Sequence, residues 1–169
     1  MATDLLVLSD THLPKRAREL PAQLWHDIES ADAVIHAGDW VSEESLDEML
    51  QRSRRLLACY GNNDGGALRS RLPLIAAAEV EQVRLAVIHE TGPAAGREKR
   101  MDEQFPELDL LVFGHSHIPW DTVTPAGLRL LNPGSPTDRR RQPYCTYLRV
   151  KVEGKAVTTE LVRLPPRKA

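Results

Sequence analysis

Short apolar runs alternate with helical patterns along the first sixty residues of the chain. Leu5 to Leu8, Ala33 to Ile35 and Leu56 to Cys59 are continuous apolar segments, which are typical of strands buried on both faces. Between them, Pro21 to Ser30 carries apolar residues at helical spacing, and Ser42 precedes two glutamates, a pattern typical of a helix N-terminus. Strands that alternate with helices predict βαβ units with right-handed crossovers.

The second half of the chain is richer in predicted strands. Turn residues such as Pro125-Ala-Gly127 and Glu153-Gly-Lys155 separate apolar segments, as expected of hairpins. One helix is predicted over residues 96–104, and strands are predicted over 80–81, 84–89, 110–113, 120–124, 128–131, 144–152 and 156–164. We therefore expect an α/β fold in a single domain, residues 1–169, in which helices cover two packed β-sheets.

Polar residues cluster where five of the predicted strands end. In α/β sheets, ligands bind outside the carboxyl ends of the strands, so these clusters are predicted to converge on one site. The five clusters are Ser9 to His12, His36 to Asp39, Gly61 to Asp64, His89-Glu90 and Gly114 to His117.

Two of the clusters contain polar pairs at i, i+2 spacing, Asp10 with His12 and His115 with His117. In an extended backbone, residues two apart point to the same side. Each pair is therefore expected either to bind one centre or to divide between two adjacent centres.

The chemistry of these side chains predicts a metal site. Imidazole, carboxylate and amide oxygen without a thiolate suit Mn, Fe, Ni or Zn better than Ca or a structural zinc. With Asp10 and Asp39 as the only anionic ligands, two divalent ions would keep a net positive charge that attracts a phosphate. Gly38, Gly61 and Gly114 directly precede three of the polar residues, where glycine permits a tight turn and close backbone approach.

Composition narrows the classes of partner. The 169 residues are 41% hydrophobic and 27% charged, which is typical of a soluble globular domain. Lys and Arg number 22 against 24 Asp and Glu, a balance that does not support a nucleic-acid or membrane surface. Cys59 and Cys145 form no CxxC motif and are expected to be reduced thiols. The first residues lack a signal-peptide pattern and no apolar run reaches membrane-spanning length, so a cytoplasmic location is expected.

The motifs, taken in order, resemble the calcineurin-like metallophosphoesterase superfamily over residues 4 to about 150. The later Asn132-Pro-Gly-Ser135 and the short chain resemble its small prokaryotic phosphodiesterase branch. The resemblance implies a four-layer α-β-β-α sandwich of two mixed sheets flanked by helices, with a dinuclear centre that commonly holds manganese. The motifs that carry it are Ser9-Asp-Thr-His12, Gly38-Asp39, Gly61-Asn62, His89 and Gly114-His-Ser-His117.

The resemblance also implies the role of each ligand. A metal-bridging hydroxide would attack the phosphorus, with Asp39, Asn62 and His115 taking part most directly in catalysis. The implied ligands are Asp10, His12 and His117 for the first metal, Asn62, His89 and His115 for the second, and Asp39 as the bridge between them.

Two positions depart from the family pattern. Asn63 occupies a position where many members have a histidine that protonates the leaving group, and an amide cannot act as a general acid. The natural substrate is therefore expected to be a small phosphodiester with a good leaving group, with monoesters as an alternative. Glu90 follows His89 at a position where glycine is frequent, which alters the surroundings of the second metal.

Other polar residues near the clusters have two interpretations each. Arg139, the first of three consecutive arginines, could contact the substrate phosphate together with Asn63, or the arginines could be a solvated charge run. Asp64 could orient Asn62 or serve only the turn. His36 could hydrogen-bond a ligand or be a structural core residue.

Two functions remain from different classes of protein. One is a metal-dependent phosphoesterase, and the other is a catalytically inactive scaffold of the same fold that binds proteins. A scaffold of this kind typically loses several ligands, whereas all seven positions here keep ligand chemistry. A nuclease is not supported by the net charge of −2. Strand edges late in the chain are compatible with a homodimer.

Overall fold

The computed structural model describes residues 1–166, so the last three residues of the predicted domain lie outside the described part. No helix in these 166 residues combines the length and the apolar character needed to cross a membrane. The elements, in chain order, are β1 Ala2–Leu8, α1 Ala22–Ser30, β2 Ala33–His36, α2 Glu43–Arg52, β3 Leu56–Ala58, α3 Gly66–Arg71, β4 Ile75–Val80, β5 Val83–Ile88, α4 Arg97–Gln104, β6 Leu110–Val112, β7 Trp120–Val123, β8 Arg129–Asn132, β9 Thr146–Glu153 and β10 Ala156–Arg163.

The strands form two five-stranded mixed sheets. The first has the order β10-β9-β1-β2-β3 and the second has the order β4-β5-β6-β8-β7. Strands β1, β2 and β3 are parallel, as are β5, β6 and β8, and the remaining pairs are antiparallel. The parallel centre of the first sheet confirms the βαβ units predicted from the alternating pattern.

Alternating side chains of the strands build a four-layer sandwich. Leu5 and Val7 of β1 pack between the sheets against Leu85 of β5. Leu6, on the opposite face of β1, packs against α1 and α2. Met101 of α4 covers the outer face of the second sheet. The layers are therefore helix, sheet, sheet and helix, which confirms the predicted fold class.

Local signals explain which elements the sequence predicts and which it misses. The Ser42 side chain accepts a hydrogen bond from Ser45 N at 3.3 Å, which confirms the predicted cap of α2. Helix α3 and most of β4 lie in a region without a predicted element. Only Leu68 is buried in α3, so the helix has no apolar stripe to detect. Strand β4 contains three consecutive alanines, which are poor strand formers.

Candidate metal centre

The loops after β1, β2, β3, β5 and β6 meet at one edge of the sandwich. Backbone hydrogen bonds join them directly: Asp10 N donates to Gly38 O at 2.9 Å, and Gly114 N donates to His89 O at 3.0 Å. The two sheets are also joined, since His115 N donates to Asp10 Oδ2 at 3.0 Å. The polar clusters predicted at five strand ends therefore lie together.

Most of the predicted ligands lie in left-handed backbone. Extended geometry was expected for the two i, i+2 pairs, and that expectation was wrong because strand alternation ends before the loops begin. Each left-handed residue other than glycine costs about 1–2 kcal/mol, and such strain is typical of functional sites. The φ angles are 57° at Asp10, 45° at His12, 62° at Asp39, 73° at His115 and 60° at His117.

All three glycines are required by close approach to a predicted ligand; a Cβ on Gly38 would lie 2.9 Å from His89 Nδ1. A Cβ on Gly61 would lie 2.2 Å from Asp39 Oδ1, and one on Gly114 would lie 2.1 Å from Ser9 Oγ and 2.7 Å from Asp10 Oδ2. These distances are far below van der Waals contact. Any larger residue would displace a carboxylate, which explains the glycines that precede Asn62 and His115.

Three predicted ligands, Asp10, His12 and His117, form a buried cluster that we call the inner group. His117 Nε2 lies 3.3 Å from Asp10 Oδ1, and His12 Nε2 lies 3.8 Å from the same oxygen. Even His12, the most exposed of the three, has only 8% of its surface accessible. The pair His115 and His117 is therefore divided, with His117 alone joining the inner group.

The inner group contains the unsatisfied polar atoms of the core. Within residues 1–166, the buried side-chain atoms without a hydrogen-bond partner are Asp10 Oδ1, His12 Nε2 and His117 Nε2. Each such atom typically costs about 1–3 kcal/mol, so three facing one another call for a ligand. Burial would raise the pKa of Asp10, but the imidazoles of His117 and His12 hold it well below its usual range. Asp10 is therefore an anion.

Asn62, His89 and His115 form a second cluster that we call the outer group. Asn62 Oδ1 lies 2.9 Å from His89 Nε2 and 3.1 Å from His115 Nδ1. His89 is buried, whereas Asn62 is exposed and the His115 side chain is 48% exposed. The outer group therefore opens to solvent, unlike the inner group.

Asp39 lies between the two groups. Its Oδ2 is 3.5 Å from His12 Nε2 on one side and 3.3 Å from His89 Nε2 on the other. Burial lowers the pKa of His89, but its hydrogen bond to Asp39 and the charges of Asp10 and Asp39 outweigh this and raise that pKa to about 9. The position of Asp39 fits the bridging role that the resemblance implies.

Backbone carbonyls fix the orientation of one imidazole in each group. His89 Nδ1 donates to Ala37 O at 2.7 Å, and His117 Nδ1 donates to Asp138 O at 2.5 Å. A carbonyl oxygen only accepts, so each Nδ1 carries a proton. The opposite nitrogen, Nε2, is thus directed at the carboxylates, which is the usual arrangement of a metal-binding histidine.

Asp64 supports the bridging residue through the backbone. Its Oδ2 accepts from Asp39 N at 3.0 Å and Gly61 N at 2.8 Å, and its Oδ1 accepts from Val41 N at 2.7 Å. The sequence predicted that Asp64 either orients Asn62 or serves only the turn. Instead, this buried carboxylate joins the loop after β2 to the loop after β3.

His36 is a neutral core residue that supports the same loop. Its Nδ1 accepts from Gly38 N at 3.1 Å, so Nε2 carries the proton and donates to Thr11 Oγ1 at 3.1 Å. Burial lowers the pKa of His36 to about 3, and its ring stacks on Trp40 with centroids 3.6 Å apart. The structural interpretation is confirmed: His36 is a buried core residue that orders the turn before Asp39 and hydrogen-bonds none of the predicted ligands.

The Asn132-Pro-Gly-Ser135 segment supports the inner group from the opposite sheet. Ser135 Oγ donates to Asp10 O at 2.8 Å, and Asn132 Nδ2 donates to Gly114 O at 3.1 Å. Thr137 Oγ1 donates to Thr11 O at 2.7 Å. The motif was detectable in the sequence, but these partners were not, because they lie more than a hundred residues away or across a strand.

The two residues predicted to contact substrate lie in different surroundings. Asn63 is at the site, where its backbone N and Nδ2 donate to Asp39 at 2.9 Å and 2.8 Å. Arg139 donates to Gln142 O within its own loop. Its neighbour Arg140 extends to the ligand loops, where Nη1 donates to His115 O at 3.2 Å. Sequence alone cannot distinguish these consecutive arginines.

The donor set fits a pair of divalent cations. Ligand atoms within 4.8 Å of one another occur in Asp10–His12–His117 and in Asp10–Asp39–His89, two sets that share Asp10. Asn62 and His115 extend the second set toward solvent. Imidazole nitrogens and carboxylate or amide oxygens, without a thiolate, suit Mn, Fe, Ni or Zn. The unsatisfied atoms of the inner group supply the strongest structural argument for this fit.

A four-layer sandwich with a histidine- and aspartate-rich site at its strand ends defines a class of metal-dependent phosphoesterases. The chain belongs to the calcineurin-like phosphoesterase superfamily, whose domain model matches residues 4–155. This finding confirms the family that the sequence motifs resemble.

Relatives and solved structures agree with this assignment. A protein named as a probable metallophosphoesterase from Methanocaldococcus jannaschii is 35% identical over 152 residues, which cover 88% of this chain and 76% of that protein. The solution structure of a Thermotoga maritima protein is 30% identical with a TM-score of 0.76, covering 96% and 99% of the two chains. Vps29 from Chaetomium thermophilum has a TM-score of 0.78 at 17% identity, covering 95% and 97%, which shows a shared fold.

Proposed function

We propose that this protein hydrolyses small phosphodiesters, and monoesters less readily, at a centre of two divalent metals. The observation that carries the proposal is the pair of ligand groups on either side of Asp39, one of them with three unsatisfied buried atoms. The inner group with Asp39 would hold one ion, and the outer group with Asp39 would hold the other. Manganese is the expected ion, with Ni, Zn and Fe as alternatives.

The chain's own residues have distinct tasks in this proposal. When bound, two divalent metals would supply a water-derived nucleophile at neutral pH and offset charge on the phosphate. Asp10 and Asp39 provide the negative charge that retains the ions. The carbonyls of Ala37 and Asp138 keep two imidazoles oriented, and the exposed outer group leaves an approach for substrate.

The residues around Asp39 favour a substrate with a good leaving group. Asn63 uses its side-chain amide to hold Asp39, and an amide cannot protonate a departing alkoxide. A diester whose leaving group is a stable anion needs no such proton. Asn63 and Arg139 stay predicted substrate contacts, and Arg140, which bonds the carbonyl of His115, is the arginine nearer to the outer group.

The scaffold hypothesis predicts a degraded site, and the geometry here favours the enzyme. The structural likeness to Vps29 at 17% identity concerns the fold alone. A protein-binding scaffold has no need of three unsatisfied buried atoms aimed at one point, since each destabilises the fold. Retention of these atoms is understandable if a metal satisfies them.

An activity screen of metal-stripped protein tests the proposal. Bis(p-nitrophenyl) phosphate and p-nitrophenyl phosphate would each be assayed with Mn, Ni, Zn and Mg added in turn. We expect metal-dependent hydrolysis, faster on the diester, which is lost in His117→Ala and kept in His26→Ala, a control on an exposed residue of α1. Absence of turnover with every metal, in protein that has bound metal, would favour the scaffold.

A further inference from the structure

We propose that Glu90 is an additional carboxylate ligand of the outer metal, one that tunes the affinity and selectivity of that ion. The inference rests on the proposed two-metal function and deepens it. Glu90 follows β5 directly after His89, so a carboxylate stands next to a predicted ligand of the outer group.

The geometry of Glu90 is that of a ligand in the outer group. Its Oε1 lies 3.6 Å from His115 Nδ1, and one ligand atom each from His89, Glu90 and His115 lie within 4.8 Å of one another. Two ligands on one ion, each about 2.1 Å from it, lie roughly 3–4.2 Å apart depending on the angle between them. The separation between Glu90 and His115 falls in that range.

The partners of His115 support the same assignment. Its Nδ1 faces both Asn62 Oδ1 at 3.1 Å and Glu90 Oε1 at 3.6 Å, and Asn62 Oδ1 faces His89 Nε2 at 2.9 Å. One ligand atom from each of four residues therefore borders the same space: His89 Nε2, Asn62 Oδ1, His115 Nδ1 and Glu90 Oε1. Glu90 is 51% exposed, so it would close this space from the solvent side.

A carboxylate here changes the charge of the centre. Asp10 and Asp39 alone leave two divalent ions with two net positive charges, and Glu90 as a third anion leaves one. Oxygen ligands favour hard ions such as Mn over softer ones such as Zn. Glu90 is therefore expected to strengthen binding of the outer ion and to shift its selectivity toward Mn.

A simpler role for Glu90 is a surface ion pair with protonated His115. Such exposed pairs contribute little to stability, and the pair disappears once His115 binds a metal as a neutral imidazole. The two roles therefore differ in the metal-loaded protein. Only a ligand changes the affinity of the second ion when it is replaced.

Manganese titration by calorimetry, with metal content measured independently, separates the two roles. Wild-type protein, Glu90→Gln, Glu90→Ala and the control Glu103→Gln would be compared at one pH, with thermal unfolding checked for each. Glu103 is an exposed residue of α4 and matches the change in charge. We expect wild type to bind two ions, and both Glu90 variants to bind the weaker ion about ten- to a hundredfold less tightly, with the tighter ion unchanged.

Two further comparisons test the metal selectivity of the weaker site and whether Glu90 acts on the same ion as His115. The preference for Mn over Zn at the weaker site should decrease in Glu90→Gln. Combining Glu90→Gln with His115→Ala should weaken this site little beyond His115→Ala alone, because both act on one ion. Unchanged affinity in both Glu90 variants would overturn the role of Glu90 while leaving the two-metal centre intact. Fewer than two ions in wild type would instead overturn the proposed function.

Discussion

The inner and outer groups of the candidate metal centre each contain two histidines and one oxygen ligand, but only the inner group is buried throughout. Asp10, His12 and His117 are buried and leave three atoms unsatisfied, whereas the atoms of the outer group face one another and solvent. His115 has 48% of its side chain exposed. The inner group therefore has the geometry of a preformed cation site that is costly when empty, whereas the outer group is more open to solvent.

In the proposed two-metal centre, this difference predicts distinct roles for the two ions. A buried site with fixed donors loses little entropy when an ion binds, so the inner ion should be the tighter one. An exposed site exchanges water readily, so the outer ion should be weaker and should meet the substrate first. Asp39 links the two, and changes at Asp39 should therefore affect both groups.

The largest effect is expected for Asp39→Ala, which removes the carboxylate that lies between the two groups. Catalysis through the metals amounts to several kcal/mol, so hydrolysis should fall about a thousandfold or more. The number of bound Mn ions should also fall below two. Steady-state kinetics and metal analysis check this, and a variant that keeps two ions and its full rate would show that Asp39 is not the link.

The contrast between the groups is sharpest in His117→Ala against His115→Ala. Removing the buried His117 leaves a cavity beside Asp10 and takes one ligand from the proposed inner ion, so the free energy of unfolding of metal-loaded protein should fall by about 2–4 kcal/mol. His115→Ala should change stability by about 0.5 kcal/mol or less and weaken only the looser ion. Chemical denaturation and Mn titration of both variants test this; the reverse order of stability would remove the distinction between inner and outer groups.

Metal binding should release protons, because the pKa of His89 is raised to about 9 in the metal-free site. The raised pKa means that the protonated pair with Asp39 stabilises the metal-free fold fully below pH 6.5, the ordinary pKa of histidine, and that this contribution is lost as pH rises through about 9. An ion needs neutral His89, so affinity should rise up to about tenfold per pH unit between pH 7 and 9. Calorimetry in buffers of different ionisation enthalpy measures the proton released, and a release of zero at pH 7 would contradict the raised pKa.

The smallest effect is expected from Asn63→His. An imidazole at this position can protonate a leaving group, so turnover on a monoester with a poor leaving group should rise severalfold, while turnover on bis(p-nitrophenyl) phosphate should not. The gain is limited because the variant also loses the Asn63 Nδ2 bond to Asp39. If Asn63→His hydrolyses each substrate at the same rate as wild type, leaving-group protonation is excluded as the reason for the expected preference.

The strands and their polar ends could be predicted because they depend on local patterns. Leu5 to Leu8 is apolar on both faces, and the fold buries both faces of β1. The glycines at positions 61 and 114 correctly predicted that the backbone there lies close to ligand side chains. The seven predicted ligand positions rest on such local signals combined with a family resemblance.

Other features depend on three-dimensional partners that no local pattern encodes. The left-handed turns at Asp10 and His117 come from tertiary contacts, such as the bond between Ser135 and Asp10 O. Asp64 supports Asp39 from 25 positions away, and only the loops' proximity makes that bond possible. Whether Arg139 or Arg140 contacts the ligand loops depends on the conformation of the loop that carries both.

If two ions act together on either side of Asp39, activity should depend on occupancy of the second site, which one titration can follow. Metal-free protein would receive Mn in steps while bound metal and hydrolysis of bis(p-nitrophenyl) phosphate are followed in the same sample. We expect low activity through the first equivalent and a rise with the second, as the weaker outer site fills. Full activity after one equivalent, or two bound ions without turnover, would contradict this expectation.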